Sequence, residues 1–213
     1  VIARGELRLS CAASEAELED VFRLRYRAYR SVDAVEDEPT GRFADPFDGQ
    51  ANRVVVCVHH QERLVGALRV MWTDTTSGLG VPEAVGCPTV FEELSAGSRV
   101  VVGNRLVVDP ATVDRQRTIV ETLLRGYMVV AEGKADVAMA AVRRRHAGFY
   151  RRILGLKMHP TSFRYPGLLV NMHLAACRYR EEIDRVYART PHLRPSAEDR
   201  LALLGALTLG SAS

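Results

Sequence analysis

At 213 residues, 47% of them hydrophobic and 26% charged, the chain is long enough for one domain with a sizeable core. A formal net charge of +3 does not by itself argue for nucleic acid, and no apolar run approaches the roughly 20 residues that cross a bilayer, so no transmembrane segment is expected. Cys11, Cys57, Cys87 and Cys177 include no C-x-x-C pair and indicate neither a metal site nor a disulfide framework; with no signal-peptide pattern in the first residues, reduced thiols in the cytoplasm are the expectation.

Residues 6–12 read as a short strand, and Ser14-x-x-Glu17 as a capping box that opens a helix running to about Tyr29. Its apolar stripe is Leu18, Val21, Phe22 and Tyr29, and Arg25 falls in the middle of that stripe. A guanidinium left buried and unpaired would cost several kcal/mol, so Arg25 calls for a carboxylate of the chain or of a ligand, or braces the loop that follows. That loop, residues 31–49, is long and polar, broken by Pro39, Gly41, Pro46 and Gly49, yet Phe43 and Phe47 give it something to bury. Asp45 and Asp48, three apart, can face one point in a turn, either to grip an ammonium group, to pair with arginines, or simply to cap the turn.

Strands over 53–59 and 64–73 form a hairpin, with Arg69 inside an otherwise apolar run. Residues 73–88 read as loop and 91–94 as one helical turn. The β-branched run 99–109 reads as the central strand, interrupted at Gly103-Asn104 by an expected bulge. Asp109-Pro110 caps a long helix expected to end at Gly133, with Ile119, Val120, Leu123, Leu124, Met128 and Ala131 as its buried face.

The unalternating apolar run within 135–142 is a strand covered on both faces, parallel to 99–108 through a right-handed crossover and splayed from it by the bulge. A short basic helix follows, closed by Gly155; then strands over 157–165 and 168–173 around Pro166-Gly167, a helix over 178–188, a last helix over 196–204 capped by Ser196, and a loose tail. Residues 1–190 are expected to form a single α/β domain with a mixed central sheet flanked by helices, and 191–213 a C-terminal helix and tail. Charge is uneven along the chain: 15–48 is acidic, whereas Arg143, Arg144, Arg145, Arg151 and Arg152 crowd one segment, as a solvated face or as a docking patch for an acidic partner.

Leu24–Tyr29, Gly41–Asp48, Leu64–Arg69, Asn104–Pro110, Arg143–Gly155 and Arg164–Leu168 come in the order seen in the N-acyl amino acid synthases of the N-acyltyrosine synthase type. That family resembles the acyl-homoserine-lactone autoinducer synthases, and both have a GNAT-like fold with splayed parallel central strands. The likeness spans about Glu15 to Val186, and its more specific pieces are R-F-x-D-x-x-D and R-Y-P-G-L. The resemblance implies a bacterial, cytoplasmic acyltransferase that moves a fatty acyl group from acyl carrier protein, through its acyl-phosphopantetheine, to an amino-acid acceptor, with no permanently bound cofactor and a product that associates with membranes. Arg25 and Tyr29, Asp45 and Asp48, Arg69 and Arg105 match the family pattern position by position; Val102 departs from it, where relatives place an acidic residue.

Acyl transfer from a thioester needs an uncharged amine, donors aimed at the developing oxyanion and a proton for the leaving thiolate. Amides at Gly103 and Asn104 are the expected oxyanion donors, Tyr150 the expected proton donor if it is not simply core, and Arg25, Arg69 or Arg105 the fork for an acceptor carboxylate. Asp45 or Asp48 would hold the ammonium or help remove its proton; water or a backbone carbonyl remains an alternative base. The helix start at 113–120 carries no glycine, unlike the pyrophosphate cradle of acetyl-CoA-dependent superfamily members, and the basic segment suits an acidic carrier protein. The competing readings are an autoinducer synthase using S-adenosylmethionine, a CoA-dependent N-acetyltransferase, and a non-catalytic module that binds acyl carrier protein or an amino acid.

Overall fold

The computed structural model describes residues 6–73, 92 and 96–209. The loop expected over 73–88 lies outside them beyond Thr73, as do Cys87, the 91–94 turn apart from Glu92, and the last four residues. The capping box forms as read: Ser14 Oγ accepts from the Glu17 amide and Glu17 reaches back to the Ser14 amide, opening α1 (Glu15–Arg30) behind strand β1 (Leu7–Cys11). Strands β2 (Arg53–His60) and β3 (Arg63–Thr73) make a tighter hairpin than expected, turning on Gln61 at φ +55°.

β4 (Val100–Val108) and β5 (Val137–Val142) are parallel neighbours joined through α2 (Gln116–Lys134). The expected single helix from Pro110 is broken. Pro110–Arg115 is a 3₁₀ segment with a non-helical Thr112, because the Asp109 carboxylate takes the Ala111 amide and the Asp109 carbonyl takes the amide and hydroxyl of Thr112. After β5 come a 3₁₀ turn (Arg144–His146) and α3 (Ala147–Leu154), which ends on Gly155 at φ +71°, where a left-handed residue closes the helix without a Cβ clash.

β6 (Lys157–Phe163) and β7 (Met172–Arg178) complete a seven-stranded sheet of order β1-β2-β3-β4-β5-β7-β6, antiparallel except at β4–β5. β7 starts four residues later than expected. Tyr165 and Leu168 leave the sheet to pack on Val35, and the Leu169 amide bonds to the Ala34 carbonyl. α4 (Tyr179–Arg189) and α5 (Ala197–Leu209) follow.

The helices divide between the two faces of the sheet. Val21 and Leu24 of α1 cover Val55, Ala67 and Val107, while Ile119, Leu123 and Tyr127 of α2 cover Val56, Leu68 and Val101. α5 docks on the α2 side: Leu203 is fully buried, and Asp199 pairs with Arg125 at 3.0 Å. The result is a mixed, open sheet with helices on both faces. Among the described residues no helix is long and apolar enough to cross a membrane.

Candidate active site

The β4–β5 ladder runs from Val100↔Val137 to Gly103↔Ala140, although β4 continues to Val108 and β5 to Val142. Beyond that point the strands part. On the other side of β4 the register jumps from Ala67↔Val107 to Arg69↔Asn104, so one extra residue is accommodated on β4. Arg105 sits at φ +55° within that bulge, a conformation uncommon outside glycine. The expected interruption at Gly103-Asn104 is thus displaced to the next residues: Gly103 and Asn104 are still paired with β3. Gly103 serves the helix face instead, since a Cβ there would meet the Tyr127 ring at 3.2 Å.

Asp45 and Asp48 are brought together by the 3₁₀ turn Pro46–Gly49. The Phe47 amide donates to Asp45 Oδ1 (2.9 Å) and the Asp45 amide to Asp48 Oδ2 (2.9 Å), a reciprocal cap with proline at its first position. Three arginines from three elements converge on the pair. Arg25 Nη1 of α1 donates to both oxygens of Asp48 (2.9 and 2.7 Å). Arg69 Nη1 of β3 bridges Asp45 Oδ1 (2.7 Å) and Asp48 Oδ1 (3.1 Å), while its Nε donates to Asn104 Oδ1 (2.7 Å). Arg105 Nε and Nη2 both reach Asp45 Oδ2 (2.8 and 2.6 Å), and its guanidinium lies 4.1 Å from the centre of the Tyr165 ring.

All five side chains are almost fully buried. Burial opposes the Asp45 charge, but Arg69 and Arg105 outweigh it and hold the carboxyl at about 2. Each of the four carboxylate oxygens already accepts at least two donors. Of the alternatives open for Asp45 and Asp48, arginine pairing and turn capping are therefore the ones realised. A saturated carboxylate held near 2 has little affinity for an ammonium or its proton. The same pairing ties the guanidinium groups of Arg25 and Arg69 to protein carboxylates. The assembly straps the 31–49 loop to the sheet and anchors Arg105 at the bulge.

The parting of β4 and β5 opens a cleft of about 480 Å³, whose walls include Tyr29, Arg105, Arg143, Tyr150, Tyr165 and Leu168. Val142 and Tyr150 belong to the α2 side, where they pack with the main core, whereas Ala141, Tyr165 and Leu168 belong to the α1 side. Burial pushes the Tyr150 phenol up to about 12, so it keeps its proton at neutral pH. Arg143 and Arg145 line the cleft; Arg144 and Arg151 are exposed and are not among its walls.

His146 also lines the cleft and was hidden in the sequence by the surrounding arginines. It accepts from Arg145 Nε at 3.1 Å, and burial, then Arg145 and Arg143, disfavour its charge. Val102 is fully buried among Met71, Val100, Val137, Met139 and Leu174, an apolar setting in which a carboxylate would be desolvated.

A family model described as N-acyl amino acid synthase FeeM matches residues 20–178. Among solved structures, that of FeeM, an N-acyl amino acid synthase from uncultured soil microbes, aligns with a TM-score of 0.67 at 14% identity, covering 86% of this chain and 97% of that one. BjaI, a CoA-dependent acyl-homoserine lactone synthase solved with SAM and isopentyl-CoA, aligns with a TM-score of 0.57 at 17% identity, covering 93% and 99%. An acyl-CoA N-acyltransferase from Pseudomonas aeruginosa aligns with a TM-score of 0.52 at 12% identity, covering 80% and 97%. No curated protein sequence matches the chain.

Proposed function

The chain belongs to the N-acyl amino acid synthase FeeM family and is an acyltransferase, and from that premise we propose that it transfers a long-chain fatty acyl group from acyl carrier protein to the α-amine of an amino acid. The observation that carries this reading is the cleft between the parted ends of β4 and β5, which has walls on both faces of the sheet. A thioester can enter from the α2 side and an amine from the α1 side, so that they meet in the gap.

In the reaction the neutral amine attacks the thioester carbon, a C–N bond forms, the C–S bond breaks, and the proton lost by nitrogen ends on sulfur. The bulge residues Arg105 and Leu106 line the cleft, which makes their amides, rather than those of Gly103 and Asn104, the candidate oxyanion donors. Tyr150, protonated and on the donor side, supplies a hydrogen bond to the departing sulfur. With its phenol near 12 against about 8.5 for a free thiol, complete transfer of its proton is uphill, so the hydrogen bond is its main contribution. The saturated Asp45 and Asp48 make water or a backbone carbonyl the better acceptor for the amine proton.

Two features favour a carrier-borne donor over free CoA. In the 3₁₀ segment that leads into α2 the Asp109 carboxylate takes the Ala111 amide and sits with Arg63 at 2.7 Å, and the start of α2 carries no glycine to let a pyrophosphate approach. A resident anion there disfavours a second one. Beside the cleft, Arg144 and Arg151 offer exposed positive charge to an acidic carrier protein.

Mass spectrometry of lipid extracts from cells overproducing the chain, against cells with empty vector, tests the product. Purified protein given palmitoyl-carrier protein or palmitoyl-CoA tests the donor. N-acyl amino acids, formed faster from the carrier-borne donor, are expected. Acyl-homoserine lactone with release of methylthioadenosine would replace the proposal with autoinducer synthesis, and preference for the CoA donor would overturn its carrier half.

A further inference from the structure

An amino-acid acceptor brings a carboxylate into the cleft, and the fork that receives it must be a cation with free donors facing the α1 side. Arg25 and Arg69 lie buried in the carboxylate network, and Arg105 reaches the cleft with its Nε and Nη2 already on Asp45. Arg145 is exposed and donates to His146. Arg143 differs from all of these. It is half-buried in the cleft wall, and among the described residues it has neither a carboxylate nor a hydrogen-bond partner.

Its direction follows from the strand. Val142 packs into the α2-side core and Ala141 into the α1-side cluster of Val35, Tyr165 and Leu168. Arg143 keeps an extended backbone (φ −70°, ψ 142°), so the alternation continues and places its side chain on the Ala141 side. Burial, then Arg145, oppose the Arg143 charge, and Tyr29 of α1, which also lines the cleft, lies near enough to interact with it. An anion arriving in the cleft would relieve that opposition.

Resting on the acyltransferase reading above, we propose that Arg143 binds the carboxylate of the amino-acid acceptor and so directs its amine to the gap between β4 and β5. The acceptor class is then α-amino acids with a free carboxylate; amines, amino alcohols and carboxamides are discriminated against. Tyr29 is the neighbouring hydroxyl available to share the same carboxylate.

The test uses the full chain, wild type, Arg143→Met and Arg143→Lys. Each of the twenty protein amino acids is examined for binding by saturation-transfer NMR without donor, and as an acceptor with palmitoyl-carrier protein. The best acceptor is then compared with its carboxamide. Loss of a charge-assisted pair corresponds to about a 10- to 100-fold weakening. Arg143→Met is expected to raise the acceptor KM by that factor, with the loss falling on KM rather than kcat, and to abolish the preference for acid over carboxamide. Arg143→Lys keeps the charge without the fork and is expected to recover part of the binding.

An unchanged acceptor KM in Arg143→Met would overturn the inference. So would a rise confined to the donor KM, which would give Arg143 to the phosphate of the phosphopantetheine arm, or failure of the wild type to bind any amino acid. If the wild type binds amino acids through Arg143 yet transfers no acyl group, the acyltransfer reading fails while this inference stands.

Discussion

Replacing Asp45 by Asn removes one negative charge from between Arg69 and Arg105 while nearly preserving shape. The cost can be worked from proton affinity: the carboxyl falls from 3.8 to about 2 on folding, and at about 1.4 kcal/mol per tenfold change the native charge contributes about 2 kcal/mol at neutral pH. Breaking a buried pair outright costs about 3–5 kcal/mol, and the amide oxygen of Asn retains one acceptor, so a loss of about 2–3 kcal/mol is expected. For a domain of this size that is a fall in Tm of roughly 4–12 °C.

The pH dependence carries a sign. A carboxylate depressed on folding adds its stability above the unfolded value and loses it as pH falls through the folded one. The difference between wild type and Asp45→Asn should therefore be full above about pH 5, begin to shrink near 4, be mostly lost by about pH 2 and vanish only about one pH unit below that. Urea titrations of both proteins across that range measure it, and taking the difference cancels the other titrating groups. A difference below about 0.5 kcal/mol at pH 7, or one that does not change with pH, would refute the reasoning.

Tyr150→Phe removes the hydroxyl on the α2 side of the cleft and, on the proposed mechanism, should lower single-turnover acyl transfer about 10-fold or more, with the urea midpoint little changed. Gly103→Ala drives a methyl against the Tyr127 ring, 3.2 Å away, and should cost about 1–3 kcal/mol by overpacking, read by chemical denaturation. Reversing exposed charge with Arg144→Glu and Arg151→Glu together should slow association with acyl carrier protein, raise the donor KM and flatten its salt dependence, leaving small thioester substrates unaffected. An unchanged donor KM would count against docking of a carrier protein on these arginines.

Much of the fold is written locally. Ser14 and Glu17 satisfy amides within one turn of themselves, Gly155 closes the helix it follows, and the unalternating run of β5 reports two covered faces, so pattern alone locates these elements. The same holds for Arg25: a cation on an apolar stripe states that an anion must exist, and Asp48 is that anion. Element boundaries depart from the local pattern where a neighbouring group competes with it. Asp109 captures the first amides of the expected helix, and Tyr165 with Leu168 leaves the sheet for a better-covered site on Val35.

The site itself was legible as a set of residues and not as an arrangement. Sequence determined which charged groups the chain carries, that a parallel β4–β5 pair exists, and the family whose motifs they match. Tertiary structure decided which arginine each aspartate takes, and hence which residues lie in the cleft with donors still available. Arg105 finds Asp45 across 60 residues and sits at the bulge one step beyond the glycine that seemed to mark it. Arg143 looked like one cation in a basic run; its distinct position emerges only once the others are paired or exposed. The physical reason is that hydrogen-bond saturation and burial belong to contacts between distant segments, whereas helix caps and strand periodicity are settled within a few residues.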